Sequence, residues 1–349
     1  MNRKFIINGI LAASLLAACG NDPVDSGNEG GGDLQKQATL QVKTYVSSEL
    51  ARLHDAAVAL QDAAPEPDAD GWNAADDAAA VEAMRAEWKK ARLAYERIEG
   101  AIAVIFPELD ASTDERYDGF IAEGEDAFLF DGEGVTGVHG IERILWADQH
   151  PEHVVAFESA LPGYIAAAFP ANLEEARAFK EGLLQKLVDD TQTMVDDFRP
   201  LALAPAAAFR GVIGSLEEQL EKVSLAATGE DESRYAQHTM ADMRANLEGG
   251  RRIYEAFQPW LQSVEGGPAL AAKVVAGFER LGAHYVAIQG DAIPAVPDGW
   301  NPSNPSAEHL ETPYGELFQL LEAEADPQAS DSLVHAMAEA ADAMAIPAE

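Results

Sequence analysis

The 349-residue chain holds a single cysteine, Cys19. One thiol can form neither an internal disulfide nor a cysteine-rich metal site, so the fold must hold without either. Basic residues are also scarce: 24 lysines and arginines stand against 60 aspartates and glutamates, a formal net charge of −36. So acidic a surface repels nucleic acid and anionic lipid headgroups and concentrates cations, although acidity also serves plain solubility. No apolar run reaches the ~20 residues that a membrane-spanning helix needs. No stretch alternates apolar and polar residues at period two, which argues against sheet. Missing too are a His-Glu-x-x-His zinc motif, a Gly-x-Ser-x-Gly elbow, a Walker loop and a dinucleotide fingerprint, so no standard catalytic machinery is visible.

What is present begins with a leader. Arg3 and Lys4 precede an apolar run from Phe5 to Ala18, and Leu16-Ala17-Ala18-Cys19 follows the bacterial lipobox. Residues 1–18 read as a lipoprotein signal peptide, and lipidation of Cys19 would anchor the protein to a membrane of the cell envelope with its domain in the periplasm. Gly20 after the cysteine points to the outer membrane, and Asp22 pulls against it. Residues 19–36, with Gly30-Gly31-Gly32, read as a flexible tether.

Beyond the tether, 47% hydrophobic content is ample for a core. Apolar residues recur at steps of three and four: Val46, Leu50, Leu53, Ala57 and Leu60, then Val81, Met84, Trp88, Ala91, Tyr95, Ile98 and Ile102. A Pro- and Asp-rich segment from Ala64 to Asp70 separates the two, and a polar interval runs from Glu108 to Gly134. Further helices are expected from near Val135 to Trp146, along Leu173–Phe198 and Phe209–Val223, and over Tyr235–Leu261, Leu270–Ile288 and Leu333–Met344. A long Pro-, Asn- and Ser-rich loop spans Gln289 to Pro313. The pattern predicts an all-α protein of two antiparallel helical bundles, 37–200 and 201–349, dividing near Pro200 to Pro205.

The sharpest local feature is Gly137-Val-His139-Gly-Ile-Glu142-Arg-Ile-Leu-Trp146. His139 and Glu142 share a helix face and can hold one ion; imidazole and carboxylate suit iron, zinc, copper or manganese. The plainer reading is a solvated pair, but the apolar residues around it argue for burial, and buried charges need partners. Glu96 and Glu99 form a second pair three apart, which repel each other unless a metal cation, Arg92 or Arg116 lies between them. The polar interval adds Asp110, Asp114 and Asp118 as possible oxygen ligands. A third cluster, His238, Asp242, Asn246 and Glu248 with Gly249, can be a ligand site, a close helix crossing or a buried hydrogen-bond network.

At these residues the chain resembles the imelysin-like family, and within it the EfeO/EfeM type of ferrous iron uptake proteins. The resemblance rests on Ala91-Arg92-Leu-Ala-Tyr95-Glu96-Arg-Ile-Glu99, Asp114-x-Arg116 and Gly137-x-His139-x-x-Glu142. It continues through Thr228-Gly-Glu-Asp-Glu-Ser-Arg-Tyr235, His238-Thr239-x-x-Asp242 and Ala245-Asn246-x-Glu248-Gly249. It implies paired helical bundles and a metal site of His139, Glu142, Glu96, Glu99 and Asp114. It also implies iron as the ion, zinc or copper being alternatives, and an iron permease as partner. The cupredoxin-like domain of the family's longer members has no room here. Between Tyr235 and His238 the chain has one residue more than the family pattern and no serine. Metal-dependent peptidase activity, a label of the wider imelysin group, and polysaccharide binding are the competing functions.

Overall fold

The computed structural model describes residues 29–73 and 76–348. The leader, Cys19 and residues 19–28 of the expected tether lie outside the described residues. Among those described, every regular element is helical, and no helix is long and apolar enough to cross a membrane.

Helix α1 (Glu29–Ala63) takes in Gly30–Gly32 and the remainder of the segment expected to be tether. From Ala38 through Val42, Val46, Leu50, Leu53, Ala57 and Leu60 it buries one side, the helical repeat that its sequence carries. Against it packs α2 (Ala78–Glu96), which the short α3 (Glu99–Ile105) follows in the chain. The apolar stripe from Val81 to Ile102 is continuous in sequence, yet the helix breaks at Arg97 and Ile98. The break is where another backbone comes close, for a Cβ at Gly249 would overlap the Arg97 carbonyl.

The interval read as polar contains two short helices, α4 (Pro107–Asp114) and α5 (Tyr117–Glu123). All nine residues of α6 (Gly137–Leu145) are buried. After α7 (Glu152–Glu158), α8 (Leu173–Ala178) passes through a π turn at Phe179–Leu183 into α9 (Leu184–Phe198). Then come α10 (Pro205–Ala226), α11 (Thr239–Ser263), α12 (Gly267–Ala287), the one-turn α13 (Ala307–Leu310), α14 (Pro313–Glu324) and α15 (Leu333–Ala343). Helix α11 starts four residues later than its sequence suggests, because Gln237 adopts a left-handed φ of 52° and turns the chain. Helix α14 is additional to those the periodicity picks out.

Two principal hydrophobic cores organise these helices. One gathers Leu60, Met84, Trp88, Ile141, Leu145, Phe179 and Leu187. The other gathers Leu50, Tyr95, Ile102, Phe198, Phe209, Met243, Phe278 and Met337. Helices α1 and α2 contribute to both, and Phe198 and Phe209, on either side of the expected boundary, share a core. The packing boundary therefore crosses the long helices instead of falling at 200–205; α1 alone is about 50 Å long, more than one bundle layer can use.

Candidate metal centre

Glycines set the backbones of the centre close together. Gly137 opens α6 with a φ of 72°, and a Cβ there would overlap the Thr113 carbonyl, so α6 rests directly on the end of α4. That puts His139 beside Asp114. At the crossing of α3 and α10, a Cβ on Gly211 would overlap the Gly100 carbonyl. About three turns further along the same face of α10 stands Lys222, which this crossing brings to Glu99. Trp88 pins α6 to α2 by donating from Nε1 to the Val138 carbonyl at 2.8 Å.

His139 is 1% exposed and Glu142 fully buried. His139 Nδ1 and Glu142 Oε2 are 2.8 Å apart. The other Glu142 oxygen accepts the backbone N–H groups of Tyr235 at 2.9 Å and Ala236 at 2.8 Å. Both oxygens are thus engaged, one fixing the imidazole ring and the other the loop before α11. An ionised carboxylate only accepts hydrogen bonds, so in neutral His139 the proton sits on Nδ1 and the Nε2 lone pair points away from Glu142. Nε2 has no hydrogen-bond partner; Asp114 Oδ1 lies 3.4 Å from it. His139 Nε2 or Nδ1 and one oxygen each of Asp114 and Glu232 fall within 4.8 Å of one another, a spacing suited to one metal ion.

A second group, Glu96, Glu232 and Asp242, meets the same spacing, but a side chain already fills it. The fully buried Arg92 guanidinium pairs with Glu96 and Asp114, with Glu232 at 3.1 Å and with Asp242 at 3.4 Å. Arg92 is thus one of the counter-ions anticipated for Glu96. Arg116 is not; it donates to the Glu230 carbonyl at 3.2 Å. The cation between Glu96 and Glu99 is Lys222, 3.2 Å from the first and 3.1 Å from the second.

Five carboxylates, Glu96, Glu99, Asp114, Glu232 and Asp242, thus share two permanent cations, Arg92 and Lys222, and Glu142 stands beside them on His139. The surplus shows in the titration of the groups. Burial first, and then Glu96, pushes the Glu99 carboxyl well above the usual range. Burial likewise raises Asp242 far above it, against the pull of Arg92. Burial also acts to raise Glu232, but Lys222, Arg92 and His139 outweigh it and hold this carboxylate well below normal. Burial and Arg92 press His139 toward its neutral form, yet the carboxylates of Asp114 and Glu142 prevail and raise its pKa to about 9. In this state the imidazolium is itself a third cation, one that an incoming metal would replace.

Beside the cluster opens a cavity of ≈ 410 Å³, lined by Glu99, Asp110, Asp114, Glu218, Lys222 and Glu232 among others. Asp110, which accepts from the Tyr95 hydroxyl, is raised by burial and Asp114 to about 7. Glu218 is raised by burial, against Lys222, to about 7.

Of the residues expected from sequence, His139 and Asp114 meet directly, Glu142 orients the histidine, and Glu96 and Glu99 stand behind Arg92 and Lys222. Asp118 takes no part; it pairs with Arg234. The third cluster divides. Asp242 accepts from Ser233 and faces Arg92, and Asn246 donates to Glu99, so both join the centre. Gly249 makes the close crossing at Arg97. His238 instead stands at the N-cap position of α11 without a side-chain capping bond, its Nδ1 3.6 Å from Asp291. Glu248 is half exposed and pairs with Arg97 at 3.1 Å. Sequence reasoning missed Glu232 and Lys222. Glu232 lies in an acidic run in a loop, which looks solvated. Lys222 ends a line of small and polar residues, Ala208, Gly211, Ser215 and Gln219, at steps of three and four, and that line was the available signal.

Fold and site together define an all-α protein with two principal cores and a buried carboxylate–histidine cluster. The imelysin family model matches residues 44–344, and the chain belongs to the imelysin family. It is 26% identical over 244 residues to the iron uptake system component EfeO of Escherichia coli K12 and to that of Shigella flexneri. To the EfeO of Escherichia coli O1:K1 it is 27% identical over the same length. These alignments cover 70% of this chain and 52% of each relative, so the chain spans about half the length of the curated relatives it matches. The crystal structure of an imelysin-like protein from Psychrobacter arcticum 273-4 aligns with a TM-score of 0.55 at 11% identity, over 87% of this chain and 93% of that one. That likeness concerns the fold alone.

Proposed function

We propose that the chain is an envelope lipoprotein that binds one iron ion for uptake, with His139, Asp114 and Glu232 as its ligands. The observation that carries this reading is His139 Nε2, a buried nitrogen with no hydrogen-bond partner, held toward two carboxylates by Glu142. A metal-binding histidine needs this arrangement, in which a carboxylate on one nitrogen frees the other. The five-to-two excess of carboxylates over permanent cations favours an added cation, and the acid-lined cavity offers it a route inward. Iron as the cargo is supported by relatives named as components of an iron uptake system; zinc and copper suit the same donors. A membrane permease is the corresponding partner, and a lipid on Cys19 would hold the protein in the envelope.

The test is metal analysis of the protein purified without affinity metals, followed by titration with iron, zinc and copper. Near-stoichiometric iron, lost in His139→Ala and Asp114→Ala, is the expected result. No bound metal in the unaltered protein would remove the reading, and metal-dependent peptide cleavage would move it to the peptidase alternative. Cys19→Ala should release the protein from the membrane fraction.

A further inference from the structure

We infer that Lys222 stands in the place of a second cation and so limits the centre to one ion. This rests on the proposed site at His139, Asp114 and Glu232 for the first ion, and concerns the adjoining half of the cluster. Lys222 Nζ lies 2.8 Å from Glu232, 3.1 Å from Glu99 and 3.2 Å from Glu96. Three carboxylates from three segments of the chain, the end of α2, the start of α3 and the loop before α11, converge on one ammonium. The Lys222 side chain is only 6% exposed.

Glu232 is common to both halves. It is grouped with Asp114 and His139 and also meets Lys222, the position of a carboxylate that would bridge two ions. Asn246 adds an independent observation. It is 2% exposed, and while its amide nitrogen donates to Glu99, its Oδ1 has no hydrogen-bond partner. That leaves a neutral oxygen donor buried at the edge of the same cluster. Carboxylate and amide oxygens are the donors that hard divalent cations take.

Arg92 does not play the same part. Its planar guanidinium is a multidentate fork that also reaches Asp114, while three of its partners, Glu96, Glu232 and Asp242, lie within 4.8 Å of one another; an ammonium is a compact point charge, nearer in shape to a single ion. Lys222 also lines the ≈ 410 Å³ cavity. Glu99 and Glu232 line that cavity already, and truncating the Lys222 side chain would open it toward Glu96 and give a hydrated ion a way in.

The experiment is equilibrium dialysis of the unaltered protein and of Lys222→Ala against Mn2+, with electron paramagnetic resonance and thermal melting of the same samples. Expected are one Mn2+ in the unaltered protein and two in Lys222→Ala, with a dipole-broadened spectrum in the variant only. The variant should melt lower in chelator and be raised more by Mn2+ than the parent. Two ions in the unaltered protein, or no gain of an ion in folded Lys222→Ala, would overturn the inference. If Lys222→Ala does not fold, Lys222→Ala/Glu99→Gln relieves the repulsion while keeping an oxygen at position 99, and its failure to gain an ion would count equally against it. Absence of Mn2+ from the parent beside one ion in the variant, or absence from both, would likewise overturn the limit of one ion, while the iron titration of the unaltered protein tests the His139 site by itself.

Discussion

Replacing Glu142 with glutamine changes almost no atoms' positions but should reverse the tautomer of His139. In the native centre one Glu142 oxygen lies 2.8 Å from His139 Nδ1 and the other accepts two backbone N–H groups, from Tyr235 and Ala236. A glutamine has a single oxygen, and the two N–H donors claim it, because turning the amide round would set donor against donor. Its NH2 group must then face Nδ1, which becomes an acceptor and leaves the proton on Nε2. A protonated Nε2 cannot ligate. The ring must pay for the other tautomer and give up an orienting hydrogen bond, which typically weakens metal binding by about 10- to 100-fold, or ~1.4–2.8 kcal/mol. The fold should survive, since the backbone donors stay paired; a lost charge-assisted hydrogen bond costs ~1.5–3 kcal/mol. Affinity is read by competition with a chromogenic chelator, with a circular dichroism melt as control. Unchanged affinity in folded Glu142→Gln would refute the orienting role. A loss as large as that of His139→Ala would instead make Glu142 a ligand in its own right.

Three further predictions follow from the same geometry. With the His139 pKa raised to about 9, metal must displace a proton at neutral pH, so affinity should climb by about tenfold per pH unit from pH 6 to 8 and level off near 9; a pH-independent affinity in calorimetry across several buffers would contradict this. Arg92→Met strands Glu96, Asp114, Glu232 and Asp242 beside a neutral side chain and should destabilise the protein by roughly 3–5 kcal/mol, measured by urea unfolding, while a variant as stable as the parent would show these carboxyls to be neutral already. Gly137→Ala forces a side chain into a left-handed φ and against the Thr113 carbonyl, so it should cost upwards of ~1–3 kcal/mol and lower metal affinity as well, because it separates His139 from Asp114; stability and affinity both at parental values would count against that placement.

The sequence alone determined the class of the fold. Apolar steps of three and four are a local property, and the stripes along α1, α2, α9 and α10 are read from them without knowledge of partners. It also determined that His139 and Glu142 act as a pair, since a spacing of three on a helix with apolar flanks fixes their common face and presses them inward. Tertiary structure alone decided what the pair does. Whether Glu142 binds an ion or orients the ring depends on the backbone donors of Tyr235 and Ala236, some ninety residues away. The counter-ion of Glu99 is Lys222 only because Gly100 and Gly211 let α3 and α10 touch; the line of small and polar residues along α10 marks a face for close approach but does not say which helix meets it. Glu232 reaches the centre from a loop, where spacing carries no direction. The division of the cores escaped a reading along the chain for a related reason: a 35-residue helix such as α1 belongs to whatever packs against each part of it, and that is settled only when the helices come together.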